Sequence, residues 1–477
     1  IENASVLDGT GAAAQNLSVR FVGDRIVEVG KLEASPRDRV VDAAGMVLAP
    51  GFIDTHSHAD ADIFEQPDAL AAVSQGITSA VVGQDGESNF PLRDFFTRLE
   101  RERAAINFAS YAGFGSIRRE VMGEDFRRPA TPAEIEQMRA LLREEMRAGA
   151  RGLATGLEYD PGIYSSREEV LALASEAASR GGRYISHVRS EDRWFWEAID
   201  EIIDIGRKTE MPVQISHIKL ALRRNLGKAD RLIEILAEAR ASGVDITADI
   251  YPYTYWQSTL TVLFPDRDFE NRETAEFALS QITTPEGAHL GVYKPNPEYV
   301  GKTLREISDM RGTDPATTLM DLIREARAYE ERTGETHTES VIATSMEEAD
   351  IERLMNWTHT NLCTDGDLVA SHPRGFGSYP RFLGRYVRER KIMDLPTAVH
   401  KSSGLAATHL GIRDRGVIRP GMKADLVLFD PNRVLDHATP EAPQTLSVGI
   451  EKVWVNGTIV FKDGGTTGRR PGQIIRW

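Results

Sequence analysis

Between about residue 50 and residue 410 the sequence alternates short apolar, β-like runs with longer amphipathic stretches. No other feature constrains the fold as strongly. The β-like runs lead into His58, Asp85, Phe114, Glu158, Arg189, Lys219 and Tyr251, and later into Ser345 and Asp365. Amphipathic segments such as Pro132 to Ala148 and Arg167 to Arg180 separate them, and Thr131-Pro132 opens the first as an N-cap followed by proline at the first helical position. Strand-helix alternation predicts a parallel sheet covered by helices. Roughly eight such units over some 360 residues predict an α/β fold, a (β/α)8 TIM-like barrel spanning 51–411. Nine candidate strands are more than such a barrel holds, so at least one lies outside it. From about Ser258 to Thr338 the pattern loosens into charges and turn residues, and 258–338 is read as an insertion near the active-site face.

The ends differ from the middle. Gly23-Asp24 separates two alternating runs near the start, and Asn456-Gly457 separates Val453–Val455 from Thr458–Val460 near the finish; both dipeptides are hairpin signals. Residues 1–50 and 412–477 are therefore expected to build one small β-sandwich domain from both chain ends. Seventy-two acidic against 57 basic residues give a formal net charge of −15, which argues against phosphate backbones and anionic membrane surfaces as partners. No run of about 18 apolar residues marks a membrane span. A lone cysteine, Cys363, excludes an intrachain disulfide framework. A cytoplasmic setting is favoured, and because the chain starts at Ile1 a removed signal peptide stays open. Oligomeric state is not readable.

His56-Ser57-His58 closes the run Pro50 to Thr55. Residues i and i+2 of a strand share a face, so two imidazoles are expected to project together into the barrel. Tyr184-Ile185-Ser186-His187 and Val213-Gln214-Ile215-Ser216-His217 each end in Ser-His, and Thr364-Asp365-Gly366, Asp85 and Glu158 place carboxylates at other strand ends. Polar residues at the C-terminal ends of barrel strands read as site residues rather than core. Four histidines with carboxylates suit a divalent metal, zinc favoured, as one or two ions.

The ordered set "PGFIDTHSHAD", "SQGITSAVVGQDG", "GARGLATGLEYDPG", "ISHVRSE", "ISHIK", "DIYPY", "SHPRGFGSYPR" and "HLGIRDRGVIRPGMKADLVLFDP" resembles the amidohydrolase superfamily, and within it the D-aminoacylase (N-acyl-D-amino-acid deacylase) branch. The resemblance covers nearly the whole chain. It implies that His187 and His217 hold the tightly bound zinc and that His56 and His58 line a neighbouring, weaker metal position. It further implies that Asp365 takes a proton from the attacking water and passes it to the leaving amine, while Lys219, Tyr251 and Arg374 hold the substrate's α-carboxylate. One position departs from the family. Where D-aminoacylases usually carry a Gly-Asn-Cys-Gly turn with a ligating cysteine, this chain has Gly83-Gln84-Asp85-Gly86. Asp85 is read as a harder oxygen ligand, the alternative being an ordinary turn residue. No lysine occurs between Lys31 and Lys208, so the fourth strand cannot supply a carboxylated lysine; Glu158 is a metal bridge or a supporting group.

The expected activity is hydrolysis of N-acyl-D-amino acids to a D-amino acid and a carboxylate, on a small substrate with a free carboxylate. Three alternatives stand beside it. One is another activity of the superfamily, on a dipeptide or cyclic amide. Another is a catalytically dead barrel serving assembly. The last is an enzyme acting on nucleic-acid bases, which the net charge disfavours.

Overall fold

The computed structural model describes residues 1–369 and 371–477. Its centre is a barrel of eight parallel strands. Two hydrogen-bonded groups supply them: Phe52–Asp54, Ile77–Val82 and Asn107–Ser110, then Ala112–Gly113, Gly152–Gly156, Arg183–His187, Val213–Ile215, Ile246–Ile250 and Thr360–Leu362. Asn107–Ser110 and Ala112–Gly113 are the two halves of one strand interrupted at Tyr111, whose N–H donates to Val82 O. The barrel closes where the last strand meets the first: Asp365 N donates to His56 O (2.8 Å) and His58 N to Gly366 O (2.9 Å). These strands are buried along their length, as a parallel sheet clothed by helices requires. The helix Pro132–Ala148 starts in a full capping box between Thr131 and Glu134.

The run leading into Ser345 is the one outside the barrel. Glu339–Thr344 pairs antiparallel with both Tyr255–Ser258 and Ala288–Tyr293, forming a separate three-stranded sheet. Helices Leu304–Arg311 and Pro315–Thr333 belong to this same excursion between the seventh and eighth barrel strands. It reaches the mouth of the barrel, where Trp256, Gln257, Ser258, Val262, Leu263 and Ile282 form one wall of a cleft.

The two chain ends meet in an eight-stranded sheet that runs from Gly465–Thr466 through Leu426–Phe429, Val47–Pro50 and Ala4–Val6 to Arg25–Gly30. This sheet curls over its own core of Ala4, Val19, Ile26, Leu48, Leu428 and Trp454, and Ile26 N reaches Met422 O across the fold. Both hairpin dipeptides make turns, and Asn456 and Gly457 take φ values of 47° and 75°, as a type I′ turn needs. The last residues leave this sheet and lie along the barrel, Ile475 N donating to Phe108 O.

Candidate metal centre

Every site residue singled out in the sequence lies at the C-terminal end of the barrel. His56 and His58 do not sit on a strand: the first strand ends at Asp54, and both rings project from the bend that follows, 5.5 Å apart. His187 ends the fifth strand. His217 lies in the turn after the sixth, with φ 33°, and Asp85 and Asp365 also take left-handed backbone, φ 52° and 51°. Three chemically active side chains in a region that L-residues seldom adopt mark turns shaped to aim them. The Asp85 turn is wedged against the fourth strand so tightly that a Cβ on Gly156 would lie 2.0 Å from Asp85 O.

The donor atoms converge. His56 Nε2 is 3.3 Å from Asp85 Oδ2 and 3.4 Å from Asp365 Oδ1. His58 Nε2 is 3.1 Å from Asp365 Oδ1 and 3.4 Å from Asp85 Oδ2. On the other side, His217 Nε2 is 3.4 Å from Asp85 Oδ1 and 3.1 Å from His187 Nδ1. A tetrahedral ion with ligands at about 2.0–2.2 Å separates its donor atoms by roughly 3.3–3.6 Å, so these spacings fit a divalent metal. Asp85 Oδ1 is buried with no hydrogen-bond donor, as a metal-facing oxygen would be.

Electrostatics point the same way. Burial pushes the Asp85 and Asp365 carboxyls up, but His56 and His217 hold the first well below its usual range and Arg374 with His217 does the same for the second. Burial pushes His58, His187 and His217 down, and the surrounding carboxylates more than reverse this. The cluster therefore draws in positive charge. Glu158 Oε2 accepts from His187 Nε2 at 3.0 Å, and burial raises its carboxyl. Glu158 thus touches the face of His187 turned away from His217.

Lys219 lies two residues after His217 and would share its face if the strand continued. The strand has already ended at Ile215, yet the turn brings Lys219 Nζ to 2.6 Å from His217 Nδ1 and 2.5 Å from Glu191 Oε1. Arg374, at the first turn of a helix after the eighth strand, reaches Asp365 Oδ2 at 2.5 Å. Tyr251 lies between the two cations, its ring centroid 5.8 Å from Lys219 Nζ and 5.0 Å from Arg374 Cζ. Its hydroxyl is buried without a partner, and burial pushes its pKa well above the ordinary value, so it stays a neutral donor.

Two further residues, beyond the sequence-based candidates, complete the surroundings. Glu191, in the stretch after His187, accepts from Lys219 and lies 3.1 Å from His217 Nδ1. Burial pushes its carboxyl up, while Lys219 and the two histidines hold it far below the usual range. Asp249, inside the seventh strand, accepts from His217 N (2.6 Å) and Gln214 Nε2 (2.5 Å), fixing the left-handed turn. The lone thiol, Cys363, donates to Asp249 Oδ1 at 3.4 Å.

A model of the amidohydrolase family matches residues 39–285 and 299–461. The chain belongs to this family. It is 35% identical to an N-acyl-D-glutamate deacylase of Alcaligenes xylosoxydans xylosoxydans across 100% of this chain and 96% of that one. A solved D-aminoacylase superposes with a TM-score of 0.89 at 32% identity, covering 100% of this chain and 99% of the other. The N-acyl-D-glutamate deacylase of Bordetella bronchiseptica, solved with zinc and a phosphonate mimic of the tetrahedral intermediate, gives 0.89 at 33% identity, covering 100% and 98%. The family's (β/α)8 barrel and its appended β domain are thus this chain's architecture. Among the described residues no helix is long and apolar enough to cross a membrane.

Proposed function

We propose that this chain is a metal-dependent deacylase of N-acyl-D-amino acids. The observation that carries the reading is the convergence of donor atoms from His56, Asp85, His217 and Asp365, all within 4.8 Å of one another, beside the cation pair Lys219 and Arg374. The D configuration follows from the family relatives, whose named substrates are D-amino acid derivatives. His56, His58, Asp85, His187 and His217 would hold the metal, with Asp365 beside them. A divalent ion bound there, zinc in the Bordetella relative, would supply Lewis-acid polarisation of the amide carbonyl and would lower the pKa of water from 15.7 towards about 7.

The remaining steps fall to side chains. Lys219, Tyr251 and Arg374 bind the α-carboxylate, Arg374 as a fork, Lys219 as a point charge and Tyr251 as a hydroxyl donor. Asp365, a carboxylate at working pH, accepts the proton of the attacking water at Oδ1 and returns it to the departing amine. Glu158 orients His187, and Glu191 orients both Lys219 and His217.

The remaining cleft wall selects the substrate's side chain. Ala221, Trp256, Val262, Leu263 and Ile282 line it, and among the described lining residues Lys219 and Arg374 are the only lysine and arginine. Arg267 beside this wall is engaged with Asp160 and with the carbonyls of Glu158, Thr261 and Phe264. Among the described residues a second carboxylate on the substrate meets no lysine or arginine there that is not already engaged, so apolar D-amino acids are favoured over D-glutamate and D-aspartate. Amine release is measured from N-acetyl derivatives of D- and L-leucine, methionine, phenylalanine, glutamate and aspartate, alongside cyclic amides, on metal-loaded protein. The expected result is cleavage of D-substrates only, with kcat/KM for D-leucine at least tenfold above D-glutamate. Hydrolysis of L-substrates or cyclic amides alone overturns the deacylase reading. Preference for D-glutamate overturns the side-chain assignment, and Arg223→Ala then tests the exposed cation of the neighbouring cleft that meets this one at Ile282.

A further inference from the structure

We infer that His372 is a positioning residue: it locks Arg374, the anchor of the substrate's carboxylate, to the cleft wall that meets the substrate's side chain, and so sets the discrimination between D and L configurations. The inference rests on the deacylase reading for its substrate, and on the hydrogen bonds of His372 for the rest.

His372 is buried behind the cleft wall, its ring centroid 4.9 Å from that of Tyr255 and 5.4 Å from that of Tyr253. Both ring nitrogens are committed, and their partners allow one tautomer. Arg374 N donates to Nδ1 at 2.9 Å, so that nitrogen carries no proton. Nε2 lies 3.1 Å from Tyr255 O, which can only accept, so the proton sits there. Burial, helped by the charge of Arg374, pushes the imidazole well below its ordinary pKa and keeps it neutral. The ring therefore spans two separate parts of the fold. One is the first turn of the helix Arg374–Arg381, which carries the anchor. The other is the start of the strand Tyr255–Ser258, whose Trp256, Gln257 and Ser258 form the wall. A second bond runs the same way, Gln257 Nε2 donating to Ser371 Oγ at 2.7 Å.

Stereochemistry makes this connection matter. The α-carbon of the substrate carries an amide nitrogen, a carboxylate, a side chain and a hydrogen. Once amide and carboxylate are held, the two enantiomers differ in which direction the side chain points. The amide is held at the metal cluster and the carboxylate at Arg374, itself fixed to Asp365 Oδ2 at 2.5 Å. Selection then depends on a wall that cannot shift relative to Arg374, and a misplacement of about 1 Å is enough to change a rate by up to about a hundredfold. The strand Tyr255–Ser258 pairs within the excursion's own three-stranded sheet and not with the barrel. No shared ladder fixes the wall to the helix of Arg374, so side chains have to do it, and His372 joins the two directly.

The test compares zinc-loaded wild type, His372→Leu and His372→Gln, with metal content read by ICP-MS and folding by circular dichroism. Leucine removes both hydrogen bonds; glutamine keeps a donor for Tyr255 O but offers Arg374 N no acceptor at the Nδ1 position. In His372→Leu the ratio of kcat/KM for N-acetyl-D-leucine over N-acetyl-L-leucine is expected to fall by about tenfold or more, the worth of one lost hydrogen bond. KM for the D-substrate should rise by a similar factor while kcat changes less than about threefold and the zinc content stays the same. A ring that served folding alone would lower kcat through inactive protein and leave KM and the D-to-L ratio where they were, and that result overturns the inference. Should His372→Leu not fold, His372→Gln is held to the same ratio. Hydrogen exchange supplies a readout that needs no turnover: the Arg374 amide, released from Nδ1, should exchange about tenfold faster in either variant. Equal exchange overturns the lock. The failure modes stay separate. A wild type that cleaves the D-substrate, with variants of unchanged ratio, defeats only the inference about His372. A wild type that cleaves no acyl-amino acid, with variants whose Arg374 amide loses protection, defeats the deacylase reading and leaves the lock between anchor and wall standing.

Discussion

Tyr251→Phe is expected to make the protein more stable and the enzyme worse. The hydroxyl of Tyr251 is fully buried and donates to nothing among the described residues. A buried polar group left unsatisfied costs about 1–3 kcal/mol, and phenylalanine keeps the ring that packs near His217 and His372 while deleting that cost. The unliganded variant should therefore unfold at higher urea than wild type, by an amount worth roughly 1 kcal/mol or more. On the deacylase reading, the same deletion removes a donor to the substrate carboxylate. Hydrogen bonds to charged groups are worth about 1.5–3 kcal/mol, which translates to a loss of roughly 10- to 150-fold in kcat/KM. Because this contact is made in ground and transition states alike, most of the loss should appear in KM. Urea melts of metal-loaded protein without substrate, with steady-state kinetics on N-acetyl-D-leucine, measure both effects. A variant that is neither more stable nor slower would make Tyr251 simple packing. A variant less stable than wild type would mean that the hydroxyl is already satisfied, and the reasoning fails at its first step.

Two further outcomes follow from the same geometry. Burial pushes the Glu339 carboxyl up to about 8, while its Oε2 accepts from Leu260 N at 2.7 Å, in the turn that lines the cleft with Val262 and Leu263. The unfolded chain releases that proton near the ordinary glutamate value, so this contribution to stability is fully present at low pH and fades as pH rises through about 8. Glu339→Gln keeps the acceptor and abolishes the titration, so between pH 5 and pH 8.5 its melting temperature should fall less than that of wild type; equal slopes would count against the assignment. Glu191→Gln leaves Lys219 and His217 without their charged partner and should weaken metal retention by about 10–100-fold in chelator competition. Unchanged metal affinity in that variant would reduce Glu191 to a counter-ion for Lys219.

What could and could not be read from the sequence has a physical pattern. The histidines and Asp365 were legible because a parallel barrel places polar side chains where its apolar strands stop, and that contrast survives in one dimension. The surplus strand could not be rejected: Glu339–Thr344 is buried at five of its six positions, and a buried antiparallel strand has the same continuous apolar character as a barrel strand. Only its neighbours, Tyr255–Ser258 and Ala288–Tyr293, distinguish the two, and pairing of that range leaves no periodic trace. Asp249 did leave a signal, a lone carboxylate inside the apolar run Ile246–Ile250, where burying a charge demands donors on adjacent strands. Glu191 left almost none, because in Arg189-Ser190-Glu191-Asp192 a charged loop and a supporting shell look identical until Lys219 is brought to it from a different βα turn. A strand period would carry Lys219 inward beside His217, but the strand ends at Ile215, and the left-handed His217 turn, held by Asp249, is what delivers it. The candidate ligand positions are thus written where strands end, while the groups placed to orient them are written in turns. Local turn geometry that depends on a partner thirty residues away is the part of a site that sequence patterning carries least.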